Sequence, residues 1–265
     1  MVVKSVISDE IAAYAARYQE LLKTETTWRT PCLAFAAADD PLFDKLKTWV
    51  RPTHAAPRDL MASARTVITY FIPFSESIAL SNQRQGMVSR QWAVGYVETN
   101  RLIVDLNDYI ATVLRKAGFD ACALPPTHNY DKESLMSDWS HRHVAFVAGL
   151  GTFGRHNLLI TEKGCCGRLG SLLTDAVIDP TGRPFNEFCL HRLGVACGAC
   201  VEHCSFGALQ SKGFDRARCY AVLQKNAKRF SSLGVADACG KCLSVVPCSF
   251  ENPAKKGISR EDCFL

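Results

Sequence analysis

Eight of the chain's 13 cysteines fall between residues 189 and 248: Cys189, Cys197, Cys200, Cys204, Cys219, Cys239, Cys242 and Cys248. They form two sets on one plan, each with a distal cysteine, a Cys-x2-Cys pair and a last cysteine a few residues on. Thiolates at such spacing bind metal. A disulfide framework would need an oxidising compartment, and the start, MVVKSVISDE, carries acids and lacks the apolar stretch of a signal peptide. Two zinc sites of four cysteines each fit the paired Cys-x2-Cys units. Zinc ribbons, however, usually put each pair on a tight turn of its own, whereas CGACVEHCSFGAL reads on into a short helix. Two [4Fe–4S] clusters are the better expectation.

In two-cluster ferredoxins the fourth cysteine of each run ligates the other cluster. The same crossover here gives Cys189, Cys197, Cys200 and Cys248 to one cluster, and Cys219, Cys239, Cys242 and Cys204 to the other. The charge balance agrees. The chain has 31 Lys+Arg and 26 Asp+Glu; from residue 181 on there are 12 and 7, which leaves 19 of each before it. Each oxidised cluster with four thiolates carries about −2, so two clusters bring the net charge of +5 to roughly +1. The basic excess offsets clusters more readily than it marks a nucleic-acid surface. No apolar run reaches the length of a membrane span, and a reducing cytoplasm suits so many thiols.

Several elements must position these residues. Residues 8–24 have apolar residues at helical spacing, and residues 31–38 read as a short strand. Asp40-Pro41 opens a further helix. Residues 66–72 (TVITYFI) are β-branched and aromatic and make the strongest strand. Polar residues 75–89 read as a loop. A long helix covers about 91–116, stopped by Gly118, and 120–124 is a short strand. Residues 168–178 complete a hairpin after a strand at 157–161.

A second informative stretch is 138–160, DWSHRHVAFVAGLGTFGRHNLLI. Gly149, Gly151 and Gly154 match G-x-G-x-x-G, and VAFVA could be the strand before it. The strand at 157–161 leaves no room for the helix that a dinucleotide fingerprint requires. The glycines then let backbone approach a flat ligand or make a tight crossing. His141 and His143 would share a face on a strand and could donate protons; on a helix they would point apart. Asp138 reads as a helix N-cap or an acid. Arg155, His156 and Asn157 could contact an acidic or amide-bearing ligand, or form a solvated turn. Cys165-Cys166 sits in a turn outside both sets, and Cys32, Cys122 and Cys263 read as core or tail cysteines.

AGLGTFGRHNLLIT, then GRLGSLLTDAVID, then the two cysteine sets resemble the epoxyqueuosine reductase-like proteins, which share their core with reductive dehalogenases. The likeness runs from about Pro57 to Cys248 and is strongest to a shorter branch lacking the C-terminal extension. It implies an α+β fold, with a nitroreductase-like, corrinoid-binding domain over 1–180 and a ferredoxin-like two-cluster domain over 181–265. It implies electrons passing from a low-potential donor of ferredoxin or flavodoxin type, through the clusters, to cobalamin. The substrate would be a small molecule or a modified base, with tRNA a further partner. On this likeness His141, His143 and Asp138 are the expected catalytic residues, and Gly149, Gly151, Gly154, Arg155 and Asn157 the expected corrinoid contacts. An electron carrier that reduces a corrinoid or flavin partner, without substrate chemistry, is the alternative.

Overall fold

Eight residues, Thr66–Pro73, set the centre of the molecule. In the computed structural model, which describes residues 2–126 and 129–255, every one of these eight is buried. Cys263 lies outside the described residues. The chain begins with helix α1 (Val2–Leu22), strand β1 (Cys32–Ala37), helix α2 (Leu42–Trp49) and the short α3 (Pro57–Leu60), and then enters β2 (Thr66–Pro73). After β2 come α4 (Glu76–Ser81), the long α5 (Arg90–Lys116), β3 (Ala121–Ala123), α6 (His141–Val147), the short β4 (Gly151–Phe153) and β5 (Leu159–Thr161), and β6 (Gly167–Thr174). The cysteine-rich part adds α7 (Ala199–Glu202), β7 (Leu209–Gln210), β8 (Gly213–Phe214) and α8 (Arg216–Arg229).

The fold is mixed α/β with small antiparallel sheets. The main sheet has the order β1-β2-β6-β3, with each neighbouring pair antiparallel. Side chains alternate across a strand, so β2 feeds two cores. Val67 and Phe71 face a cluster with Phe43 and Leu46 of α2 and Val144 and Ala145 of α6. Ile68, Tyr70 and Ile72 face Ile7, Ile11 and Tyr18 of α1 and Leu102, Ile103, Leu106 and Ile110 of α5. Burial on both faces is why TVITYFIP reads as a continuous apolar run rather than an alternating one. Ser89 caps α5 by accepting from the Trp92 backbone N–H, Arg115 and Lys116 sit in the last turn, and Gly118 follows at φ +87°.

Three segments differ from the sequence expectation. VAFVA belongs to helix α6, because its apolar residues pack on the α2 side of the sheet; short apolar runs do not distinguish strand from helix. The hairpin is β4–β5, while β6 pairs with β2 and β3. The polar stretch 75–89 contains α4, whose Ile78 and Ala79 are buried. A third core explains α4. It joins Phe74, Ile78, Ala79, Val88, Trp92 and Tyr96 to Ile160, Cys165, Cys166, Phe188, Cys189, Ala238 and Leu243. The segment from 74 to 96 is thus the seat of the cysteine-rich part. Gly240, at φ +68°, lies so close to Trp92 that a Cβ there would stand 1.9 Å from its ring.

Candidate metal centres and the glycine segment

The first set converges. Cys189, Cys197, Cys200 and Cys248 line one cavity, together with Arg155, His156 and His191. Burial pushes the Cys200 thiol up to about 12, and the charges of Cys248, Cys189 and Cys197 add to the shift. Cys248 reaches this cavity through the loop that follows the 3₁₀ turn Lys241–Leu243. The second set shows the same mutual influence. Burial pushes Cys219 up to about 11, helped by Cys239 and Cys204. Cys242 is raised well above the usual thiol range by burial, then by Cys239, Cys219 and Cys204. The Leu209 backbone N–H points at the Cys204 Sγ, 3.2 Å away. Four buried or half-buried thiols in a group are unfavourable as thiolates by themselves; a cation among them reverses that.

Two neighbours of the first set carry no spacing signal in the sequence. His156 is 5% exposed, and its Nδ1 accepts from the Leu158 N–H at 3.1 Å. The proton therefore sits on Nε2, which faces the Cys248 Sγ at 3.5 Å. Cys165, expected in a turn apart, has its Sγ 3.8 Å from that of Cys248. The backbones also bond: Cys165 N–H donates to Cys248 O and Cys166 N–H to Ser249 O. The ligand atoms of His156, Cys165 and Cys248 lie within 4.8 Å of one another, close enough to share a metal ion. The Cys165 thiol, and after it His156, holds the Cys248 thiol well below its ordinary value. Cys166 donates to Leu243 O at 2.9 Å. These contacts clamp the β5–β6 connection along the last cysteine of the second motif, and only tertiary structure reveals them.

The glycine segment makes a tight crossing. A Cβ at Gly151 would stand 2.0 Å from Ile160 O across the β4–β5 hairpin. At Gly149, φ +82°, it would meet Gly182 O at 2.9 Å, and at Gly154 the His156 ring at 2.5 Å. In the direction a side chain would take, the space at all three is filled by protein. Asn157 takes a left-handed turn conformation, φ +60°, and its carbonyl accepts from Arg142. Arg155 borders the first-set cavity and donates to Ser211 O at 2.8 Å.

His141 and His143, on a helix, point apart. The carbonyl of Pro125 can only accept, so the His141 Nε2, 2.8 Å away, carries the proton, and Nδ1 accepts from Ser171 Oγ at 2.9 Å. Trp139 Nε1 donates to the same Ser171 Oγ. On the other side of β6, Asn107 donates to Ser171 O and Leu124 O and accepts from Tyr70 OH. His141 is thus the end of a closed buried network. Burial lowers it to about 4. His143 bonds Ser140 Oγ at 2.7 Å and packs on Phe153; burial, with the charge of Arg142, lowers it to about 3. Both rings are neutral near pH 7, which makes them weak acids for a protonation step. Asp138 does not cap α6, since Ser140 holds that position; it accepts from Thr53 and pairs with Arg51.

A polar seam joins α5 and β6 to the cysteine-rich part. Tyr96 OH donates to Asp237 at 2.8 Å, the Arg168 guanidinium lies 4.2 Å above the Tyr96 ring, and Tyr130 meets Tyr220 of α8. Among the described residues no helix is long and apolar enough to cross a membrane.

No protein-family model matches the chain, and comparison with curated proteins finds no match. Solved structures share its fold. Epoxyqueuosine reductase from Streptococcus thermophilus superposes with a TM-score of 0.54 at 16% identity, over 90% of this chain and 66% of that one. An epoxyqueuosine reductase crystallised with an epoxyqueuosine-modified stem loop of tyrosine tRNA gives 0.54 at 18% identity, over 98% and 71%. A reductive dehalogenase studied for B12-dependent dehalogenation gives 0.56 at 15% identity, over 84% and 30%. At such identities the likeness is one of fold, and it is to the two groups of proteins that the AGLG segment and the cysteine sets resemble. The chain spans 66% of the length of the first of these proteins and 30% of the last.

Proposed function

We propose that this chain is an iron–sulfur oxidoreductase whose two cysteine sets each hold a [4Fe–4S] cluster. Cys189, Cys197, Cys200 and Cys248 hold one, and Cys204, Cys219, Cys239 and Cys242 the other. The observation that carries this reading is the crossing: Cys248, last of the second motif, lines the cavity of the first set. The surroundings fit thiolate ligands, since the His156 Nε2–H faces Cys248 and the Leu209 N–H faces Cys204. When bound, the clusters supply one-electron chemistry, with potentials tuned by such hydrogen bonds, net charge and exposure. The chain's own residues hold the sulfurs, donate to them, and close the first-set cavity with Arg155 and His191. A nitroreductase-like part to about residue 180 and a ferredoxin-like part beyond it would follow the proteins that share the fold. So would a ferredoxin- or flavodoxin-type donor, a reducing cytoplasm, and a small molecule or a modified base as substrate.

A corrinoid acceptor rests on the likeness of fold. At Gly149, Gly151 and Gly154 the side-chain direction is taken by Gly182, Ile160 and His156, so a flat group could meet these glycines only on their backbone face. A second reading is an electron carrier that reduces a partner protein and does no substrate chemistry. The held, neutral rings of His141 and His143 favour it. An anaerobic visible spectrum with iron and cobalt analysis, followed by titration with cobalamin, separates the two. Broad cluster absorbance with a cobalamin-induced spectral change supports the reductase. Intact clusters with no change at tens of micromolar cobalamin support the carrier.

A further inference from the structure

Lys241 stands between Cys239 and Cys242 and is 4% exposed. Its Nζ donates to Asn82 O at 2.9 Å and to Arg84 O at 2.7 Å, both in the chain just after α4. Asn82 is itself fixed, its Nδ2 donating to Cys239 O and Ser244 Oγ and its Oδ1 accepting from Ser89 N–H. Among the described residues no carboxylate pairs with Lys241; Cys239 and Cys242 flank it in the chain, and Asn82, whose carbonyl it meets, also holds Cys239 O. Two carbonyls take two of the three N–H donors of an ammonium and do not neutralise its charge, and a buried unpaired charge is strongly unfavourable. A buried lysine with no carboxylate, in the turn between two thiols of the second set, points to an anion that belongs there. Among the described residues the first set has no buried lysine of this kind. Its neighbouring cation, Arg155, is partly exposed and bonded to Ser211 O.

We infer that Lys241 is a positioning residue for charge: it holds a fixed positive charge beside the second cysteine set and raises the reduction potential of the cluster there, a buried cation that the first cluster lacks. The inference rests on the two-cluster reading above. One electron, supplied by a reductant such as dithionite, takes a cluster with four thiolates from about −2 to about −3. The reduced form carries more negative charge, so a nearby cation stabilises it more. The two clusters then differ in potential by design of this one lysine, which orders them for electron flow.

The test is a potentiometric titration followed by electron paramagnetic resonance, on the full chain with iron counted, for wild type, K241Q, K241M and K241R. In K241Q the equilibrium for one-electron reduction of one cluster should fall about tenfold, a shift of about 59 mV for a one-electron couple. The other cluster should stay at its wild-type potential, and K241R should restore the first. Unchanged potentials in K241Q with full iron, or equal shifts in both clusters, overturn the inference. If the neutral variants lose iron from the second set, retention of iron by K241R but not by K241Q or K241M supports the charge role. Equal loss in K241R overturns it. A wild-type protein that binds no iron would instead sink the two-cluster reading beneath it.

Discussion

The sheet and the cysteine-rich part are held together by different physics. Around β2 and β6 every buried group finds its partner within the chain. Apolar faces meet α2 and α6 on one side and α1 and α5 on the other, and the Tyr70–Asn107–Ser171–His141 network closes on backbone carbonyls. The region from 189 to 250 lacks that closure. Its long helix α8 buries Val222 and Asn226, burial pushes the Cys200 and Cys219 thiols up, and Lys241 is buried with no carboxylate among the described residues. One region is stabilised by what the sequence contains. On the proposal above, the other is built around the clusters it holds.

The largest expected effect follows from that contrast. Chelation or air oxidation should abolish hydrogen-exchange protection in 189–250, because folding is coupled to metal where ligands are distant in sequence. The loss should spread to 74–89, whose Phe74, Ile78 and Val88 share the third core with Phe188, Ala238 and Leu243. Strand β2 and the C-terminal half of α5 should keep their protection. Equal loss in β2 would erase the distinction between the regions.

Asn107→Ala probes the other side of the comparison. It strips partners from Tyr70 OH, Leu124 O and Ser171 O, all buried, and should destabilise the chain by about 2–4 kcal/mol in urea unfolding. Iron content should not change. A loss of iron would mean that the sheet network supports the cysteine sets directly.

The smallest effect is on pH dependence. His141 and His143 sit below their unfolded value near 6.5, at about 4 and about 3. Between those values the unfolded chain binds more protons, so stability is full above pH 6.5 and falls as pH drops toward 4. Each buried ring contributes at most about 1.4 kcal/mol per pH unit in that window. Urea midpoints at pH 7 and pH 5, compared with those of His141→Gln, check this: the variant should show the shallower decline. An equal decline in both would show that the His141 ring is not held neutral.

What was legible in the sequence follows the same division. TVITYFI announced the central strand because it is buried on both faces, and the capped, amphipathic α5 announced itself with its boundaries nearly right. The two cysteine sets were legible because ligand spacing is local. The partners of those sets were not. Cys165 reaches Cys248 across 83 residues, and Lys241 reaches Asn82 across 159. Helix α4 was hidden in a polar stretch because its reason to fold lies in the cysteine-rich part. The AGLG glycines marked a close approach correctly in kind, but the approaching atoms are the chain's own.

The most direct test of the central claim is an iron, sulfide and zinc count on anaerobically prepared protein, repeated for Cys248→Ala and Cys204→Ala. Two crossed clusters predict about eight irons and eight sulfides per chain, with Cys248→Ala sparing the cluster of Cys219, Cys239 and Cys242. Cys204→Ala should spare the other, that of Cys189, Cys197 and Cys200. About two zinc ions and no iron would contradict the account, as would a Cys248→Ala protein that loses the Cys239–Cys242 cluster and keeps the one at Cys197 and Cys200.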